Sequence, residues 1–301
     1  MNDLMGVISA SPTPFWRDGS IDFGWVEAHL DYLRRYGAHA TLVAGTTGEG
    51  PSISLGERRE LIDVIMAARG SLGVIVGCGY PNIEDTIAAV RYAHDKGADG
   101  ALVVPPFFFK NVPEQGLVEY YSWLIDGLAG DSNICLYNIP GTSAVEITDG
   151  LVQALQERYP GRIEGLKDSS GELERTRRYV NGFPGLRIWC GSDENSAEAF
   201  KMGAHGAMTA GSSFVPDLNQ AIRRAVESGG DVAAAQARLD AAMAVVALAD
   251  TRASLKLLIQ LRGGLPEAFV RPPLAGVSPE ADRAIREGYE RLDLPVASRA
   301  G

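Results

Sequence analysis

The run Ala40-Thr41-Leu42-Val43-Ala44 passes into Gly45-Thr46-Thr47-Gly48-Glu49-Gly50, then into an amphipathic stretch at 57–68, and resumes as Gly73-Val74-Ile75-Val76-Gly77. Both runs are short, apolar and β-branched without alternation, the pattern of parallel strands buried on two faces. Between them, Leu61, Ile62, Ile65 and Met66 recur at helical spacing, and Gly70 stands where the helix must stop. Strand, helix and strand make one βαβ unit.

Working outward, the same unit repeats. Apolar runs recur at Met5-Gly6-Val7-Ile8-Ser9, Ala101-Leu102-Val103-Val104 and Asn133-Ile134-Cys135-Leu136-Tyr137. Three more follow: Arg162-Ile163-Glu164-Gly165-Leu166, Leu186-Arg187-Ile188-Trp189-Cys190 and Gly206-Ala207-Met208-Thr209-Ala210. Helical stretches at 23–35, 82–94 and 114–128 separate several of them, with Gly37, Gly97 and Gly203 at turns. Eight strands alternating with helices predict an α/β fold, a (β/α)8 TIM barrel over residues 1–226. A doubly wound open sheet would want a glycine-rich turn after its first strand, where this chain has Ser9-Ala10-Ser11-Pro12-Thr13-Pro14. Residues 227–301 are low in strand signal. Helices expected at 231–249, 254–262 and 279–292, the last opened by Ser278 and Pro279, form a C-terminal helical extension packed on the barrel.

Of 301 residues, 28 are basic and 38 acidic, a net charge of −10 that disfavours nucleic acid and anionic membranes as partners. Cys78, Cys135 and Cys190 lie far apart without a CxxC, and the four histidines are scattered. Neither a disulfide framework nor a metal site is expected. The amino terminus has Asp3 where a signal peptide would be basic, and no run approaches the roughly twenty apolar residues of a membrane span. A cytoplasmic protein is the expectation.

Barrel active sites lie at the carboxyl ends of the strands. Of the five lysines, Lys96, Lys110, Lys201 and Lys256 read as surface residues, whereas Lys167 closes the apolar sixth strand. Burial there disfavours the ammonium and frees an amine to attack a carbonyl. A snorkelling lysine or an ion-pair partner for Asp168 is the alternative. Tyr137 ends the neighbouring fifth strand and is either a proton shuttle or a core tyrosine. Gly45-Thr46-Thr47-Gly48-Glu49-Gly50 offers hydroxyls and amides to a small carboxylate. A phosphate cradle is the competing reading, disfavoured because the run is not GxxxxGK(S/T) and no basic residue stands nearby until Arg58; glycines serving only the geometry of the turn are the other alternative. Asp193 and Glu194, after the seventh strand, would repel a phosphate. Phe107-Phe108-Phe109 either walls a pocket, packs in the core or meets another subunit. Glu174 and Arg178 suit an i,i+4 pair on a solvated helix.

Six collinear motifs resemble the dihydrodipicolinate synthase/N-acetylneuraminate lyase family of Schiff-base aldolases. They are Thr13-Pro14-Phe15, Gly45-Thr46-Thr47-Gly48-Glu49, Tyr137-Asn138-Ile139-Pro140, Gly165-Leu166-Lys167-Asp168, Gly203-Ala204-His205-Gly206 and Arg271-Pro272-Pro273-Leu274. The resemblance implies a homotetramer (a dimer of dimers) or homodimer that needs no cofactor or metal and holds a pyruvyl substrate as an imine. It makes Lys167 the imine lysine and Tyr137 the proton relay. Thr46 and Thr47 would bind the carboxylate, and Gly191 and Met208 would line the pocket floor. Members acting on aspartate semialdehyde carry an arginine where this chain has Thr142, and a tyrosine in the loop that here reads Phe107-Phe108-Phe109. Leu55 and Tyr80 stand near the places of their lysine-feedback residues. The expectation is a pyruvate-dependent lyase acting on a 2-oxo acid such as a 2-keto-3-deoxy sugar acid, with Thr142 in the substrate site. A dehydratase using the same imine is the alternative, followed by 4-hydroxy-tetrahydrodipicolinate synthase. A 2-oxo-acid-binding protein without catalysis is the non-enzyme reading.

Overall fold

The computed structural model describes residues 4–128, 130 and 132–295. Eight strands, β1 (Gly6–Ala10), β2 (Ala40–Val43), β3 (Gly73–Cys78), β4 (Gly100–Val103), β5 (Ile134–Asn138), β6 (Ile163–Asp168), β7 (Arg187–Cys190) and β8 (Gly206–Thr209), follow the expected runs closely. They pair in chain order as a closed parallel barrel, with β8 returning to β1 through Ile8 opposite Met208. The helices that follow the strands in turn are Phe23–Arg35, Leu55–Ala68, Ile83–Asp95, Glu114–Asp126, Asp149–Arg158, Leu173–Gly182, Ser196–Lys201 and Pro216–Ser228. Gly37, Gly70, Gly97 and Gly203 all take positive φ, as a left-handed helix stop requires.

Two apolar layers hold the barrel. Outside it, Val74, Val76, Val103, Leu136 and Leu166 pack against helix residues such as Leu61, Val90 and Leu124. Inside, Leu4, Ile8, Leu42, Ile75, Leu102, Cys135, Tyr137, Trp189 and Met208 fill the lumen. Each fully buried large side chain contributes about 1.5–3 kcal/mol of transfer free energy. Trp189 plugs the lumen, its indole N–H donating to the Leu4 carbonyl at 2.7 Å. Gly165 makes room for it, because a Cβ there would lie 2.5 Å from the Trp189 ring. Successive strand residues face opposite ways, so the inward Gly165 places Lys167 inward too, one layer nearer the mouth.

The C-terminal helices Val232–Val246, Thr251–Gly263 and Pro279–Arg291 pack on the barrel through Leu239, Val246, Leu258 and Ile285, against Trp25, Phe214, Leu218 and Ile222. The first ends earlier and the second begins earlier than expected. Asp250 accepts the Arg252 amide at 3.0 Å and caps a new helix, so the chain turns there. Ser278 caps the last helix, accepting from the Ala281 amide at 3.2 Å. Among the described residues, no single helix is long and apolar enough to cross a membrane. Val232–Val246 and Thr251–Gly263 reach that composition only together, across a 111° bend.

Candidate active site

At the carboxyl end of the barrel the Tyr137 and Lys167 backbones are direct neighbours in the β5–β6 ladder. The Lys167 ammonium sits 4.6 Å from the centre of the Tyr137 ring, and both residues are buried. The Tyr137 phenol reaches the Thr46 hydroxyl at 3.3 Å, tying strand β5 to the loop after β2. Lys167, Tyr137 and Thr46 therefore come together at the mouth of the barrel.

Asp168 does not serve Lys167. One carboxylate oxygen accepts from the Asn138 amide at 2.9 Å and the Ser170 backbone N–H at 3.0 Å, and the other accepts the Thr176 hydroxyl at 2.7 Å. Asn138 in turn accepts the Ile147 amide at 3.0 Å. Asp168 thus braces the ends of β5 and β6, leaving the lysine aimed into the lumen.

A cleft of about 100 Å³, open at its mouth, runs beside this group and is lined by Thr46, Arg58, Val104, Phe107, Tyr137 and Thr142, among others. Phe107 walls it, whereas Phe108 and Phe109 turn outward with 71% and 70% of their surface exposed. Thr142 is exposed on a single helical turn, Pro140–Ser143. Its neighbour Ser143 is buried, and that hydroxyl lies 2.9 Å from the Ile139 and Val145 carbonyls. Gly191 lies at the end of β7, its amide donating to the Asp168 carbonyl at 2.7 Å. A Cβ at Gly191 would fall 1.9 Å from the Ser169 hydroxyl oxygen, which explains the glycine. Met208 is fully buried in the lumen with Trp189 and Tyr137. Thr47 follows Thr46 in the turn and is half-buried.

The structure corrects several expectations. Lys256 is not a surface residue: it is buried, with its ammonium 2.5 Å from a Glu49 carboxylate oxygen. Burial pushes this lysine down to about 8, against the pull of Glu49. Arg58 folds back onto the Thr46 loop. Its guanidinium donates to the carbonyls of Ala44 at 3.1 Å and Gly50 at 2.9 Å, to that of Gly77, and to the Tyr80 hydroxyl at 2.8 Å. Those neutral partners use the donors a phosphate would need, so the loop remains a poor phosphate cradle. Asp193 is not displayed at the mouth; it is buried and accepts from the Gly211 amide at 2.9 Å and Asn219 at 3.2 Å, while Glu194 is exposed. Desolvation raises the Asp193 carboxyl above the ordinary range. Glu174 pairs with Arg177 at 3.3 Å in place of Arg178.

The loop itself is strained. Ala44 and Glu49 bracket it, each at φ +53°, where non-glycine residues cost about 1–2 kcal/mol. Gly48 and Gly50 permit the close turn: a Cβ on either would come within 2.9 Å of the Ser11 carbonyl oxygen or 2.3 Å of the Ala44 oxygen. The Thr13 hydroxyl donates to the Gly48 carbonyl at 2.7 Å. No local signal in the sequence points to Arg58 or Lys256 here, because both act through tertiary contacts.

Comparison with known proteins places these features in a family. The dihydrodipicolinate synthetase family model matches residues 3–290. An uncharacterised DapA-like lyase of Chloroflexus aurantiacus is 43% identical over 293 residues, covering 97% of this chain and 98% of that protein. A 4-hydroxy-tetrahydrodipicolinate synthase of Thermus thermophilus is 30% identical, covering 96% of each. Among solved structures, KD(P)GA from T. tenax superposes with a TM-score of 0.87 at 26% identity, covering 96% of this chain and 99% of that one. Dihydrodipicolinate synthase from Agrobacterium tumefaciens gives 0.87 at 29%, covering 96% and 100%. With a closed eight-stranded barrel and a family match over nearly its whole length, the chain belongs to the dihydrodipicolinate synthetase family.

Proposed function

We propose that this chain is a lyase that forms a Schiff base through Lys167 with the ketone of a 2-oxo acid and acts on a hydroxylated, 2-keto-3-deoxy-type substrate. One observation carries the reading: a buried lysine, released from its neighbouring carboxylate, faces a tyrosine whose hydroxyl reaches the threonine loop. The free amine adds to C2 of the keto acid, and the carbinolamine loses its hydroxyl as water once protonated. In the cleavage direction the C3–C4 electron pair moves into the iminium. The C4 hydroxyl gives up its proton as an aldehyde leaves, and an enamine remains. Protonation at C3 and hydrolysis return pyruvate and the free lysine. Tyr137 is the group placed to move these protons. Thr46 and Thr47 hold the carboxylate, with Gly191 and Met208 beneath.

Thr142 supports the neutral character of the second half of the substrate, since a threonine cannot replace a bidentate arginine clamp on a distal carboxylate. Phe107 at the cleft wall also lacks the hydroxyl expected of an aspartate-semialdehyde enzyme. This favours a sugar-acid lyase over a 4-hydroxy-tetrahydrodipicolinate synthase. The test is borohydride reduction in the presence of pyruvate, with peptide mass spectrometry. Reduced adduct on Lys167, and none on the ion-paired Lys256, is the expected result; absence of adduct, or equal trapping by Lys167→Ala, overturns the imine. Scoring a panel of 2-keto-3-deoxy acids for pyruvate release against water loss then separates a lyase from a dehydratase.

A further inference from the structure

We propose that Glu49 and Lys256 are positioning residues for the substrate-carboxylate loop, so that a helix of the C-terminal extension sets the geometry of Thr46 and Thr47. The proposal rests on the reading of that loop as the carboxylate site. Glu49 is the last residue of the turn, held in the left-handed region immediately before the short helical turn Gly50–Ser52. Its carboxylate is fully committed. One oxygen meets the Lys256 ammonium at 2.5 Å, and the other accepts the Arg271 backbone N–H at 2.9 Å. Lys256, from helix Thr251–Gly263, also donates to the Phe269 carbonyl at 2.5 Å. The side chains of the pair are 1% and 0% exposed.

The surroundings are built for this contact. The Lys256 ammonium lies 4.7 Å and the Arg271 guanidinium 4.3 Å from the centre of the Phe15 ring. Phe15 and Phe269 form an isolated antiparallel bridge, with the Phe269 amide donating to the Phe15 carbonyl at 2.9 Å. The Arg271 side chain bonds the Ser52 carbonyl at 2.6 Å and binds Glu57, which it holds down at about 2. Residues 256–271 therefore grip both ends of the segment that leaves the loop.

A wholly buried ion pair is a poor device for stability alone, since an apolar pair of similar volume is often as good or better. What an apolar pair cannot do is fix a carboxylate at two directed bonds and so hold a residue at a positive φ. The strain at Glu49 is adjacent to Gly48, whose carbonyl the Thr13 hydroxyl also pins, and the two threonines precede it directly. Displacing a positioning loop by as little as an ångström can reduce rates by about a hundredfold.

The test uses the full-length protein. Wild type, Glu49→Gln, Glu49→Asp, Lys256→Met and Lys256→Arg are each reduced with borohydride over a range of pyruvate concentrations, and their melting temperatures are measured alongside. Hydrogen exchange is followed in peptides spanning 44–52 and the β6 strand. The expected result for folded Glu49→Gln and Lys256→Met is a rise of about tenfold in the pyruvate concentration giving half-maximal adduct. Adduct formation at saturation should change by less than about threefold, and exchange should quicken in 44–52 while β6 stays protected. Lys256→Arg should recover much of the shift. Should Glu49→Gln fail to fold, Glu49→Asp, which keeps the charge on a shorter arm, carries the same expectation at smaller amplitude. Wild-type half-saturation in folded Glu49→Gln or Lys256→Met, or an equal loss at all pyruvate concentrations, overturns the positioning role and leaves the imine reading intact. A wild-type protein that traps no pyruvate overturns both.

Discussion

Replacing Arg58 by methionine should unfold the loop side of the barrel measurably and weaken 2-oxo-acid capture. Arg58 is 2% exposed, and its guanidinium has four oxygen partners, three of them backbone carbonyls. Its plane also stands 4.9 Å from the centre of the Tyr80 ring. Methionine fills most of the arm but donates nothing, leaving the carbonyls of Ala44, Gly50 and Gly77 short of a donor. A hydrogen bond to a charged group contributes about 1.5–3 kcal/mol net, and such losses add less than linearly. Relief of the arginine's own desolvation offsets part, so a loss of about 3 kcal/mol is expected. At about 2.1 cal/mol/K of unfolding entropy per residue, 301 residues translate this into a melting shift of about 5 °C. Calorimetry and urea unfolding report the shift, and borohydride trapping reports the accompanying loss of pyruvate affinity. Arg58→Lys should rescue little, because a point charge cannot reach carbonyls spread around a planar fork. An Arg58→Met protein within about 0.5 kcal/mol of wild type would refute the claim that this side chain splints the loop.

Tyr137→Phe keeps the ring against Lys167 and removes only the hydroxyl, so it should still form the adduct while turnover falls by about 10²–10⁴-fold; a turnover within about threefold of wild type removes Tyr137 from the proton path. His29 is buried with its ring nitrogen 2.9 Å from the Ser213 carbonyl, and burial pushes it down to about 4. The unfolded chain takes up this proton near 6.5, so the contribution is intact above that pH and declines as pH falls toward 4. Between pH 7 and 5 about 2 kcal/mol should be lost, and His29→Gln should flatten that part of the urea-unfolding profile; an identical profile contradicts the assignment. Phe109 and Trp123, 70% and 62% exposed, line one hollow with Ile83, Val112 and Tyr120. Light scattering should give a multiple of 32.1 kDa, and Trp123→Glu should lower it; a wild-type monomer rejects association through this face.

Strand order was legible because strands buried on both faces must be apolar throughout, and each run ended within a residue or two of its observed limit. The buried position of Lys167 was legible for the same reason: a cation closing such a run is conspicuous. Lys256 was not, since the residue that neutralises it lies 207 positions away and a lone lysine on a helix reads as solvated. Arg58 was misread as merely distant, although its helix returns it to the loop it follows. The Ser143 hydroxyl, next to Thr142 in sequence, is committed to the Ile139 and Val145 carbonyls, which nothing local announces. Local pattern suggests which face of its element a residue occupies; it does not specify which distant group packs over that face or consumes its donors.

The contacts at Glu49 also bear on the chain's biosynthesis. Its two partners are 207 and 222 residues downstream, so the turn between β2 and its helix leaves the ribosome long before anything can hold it in its final shape. Contacts of such sequence separation form late, after the loop-closure entropy has been met by the rest of the fold. The barrel itself closes only when β8 meets β1, and the turn takes its final shape only once residues 256 and 271 have been made and docked. On the proposed reading, a chain terminated before residue 256 would carry Lys167 on its strand while Glu49, beside the threonine loop, lacked both of its partners.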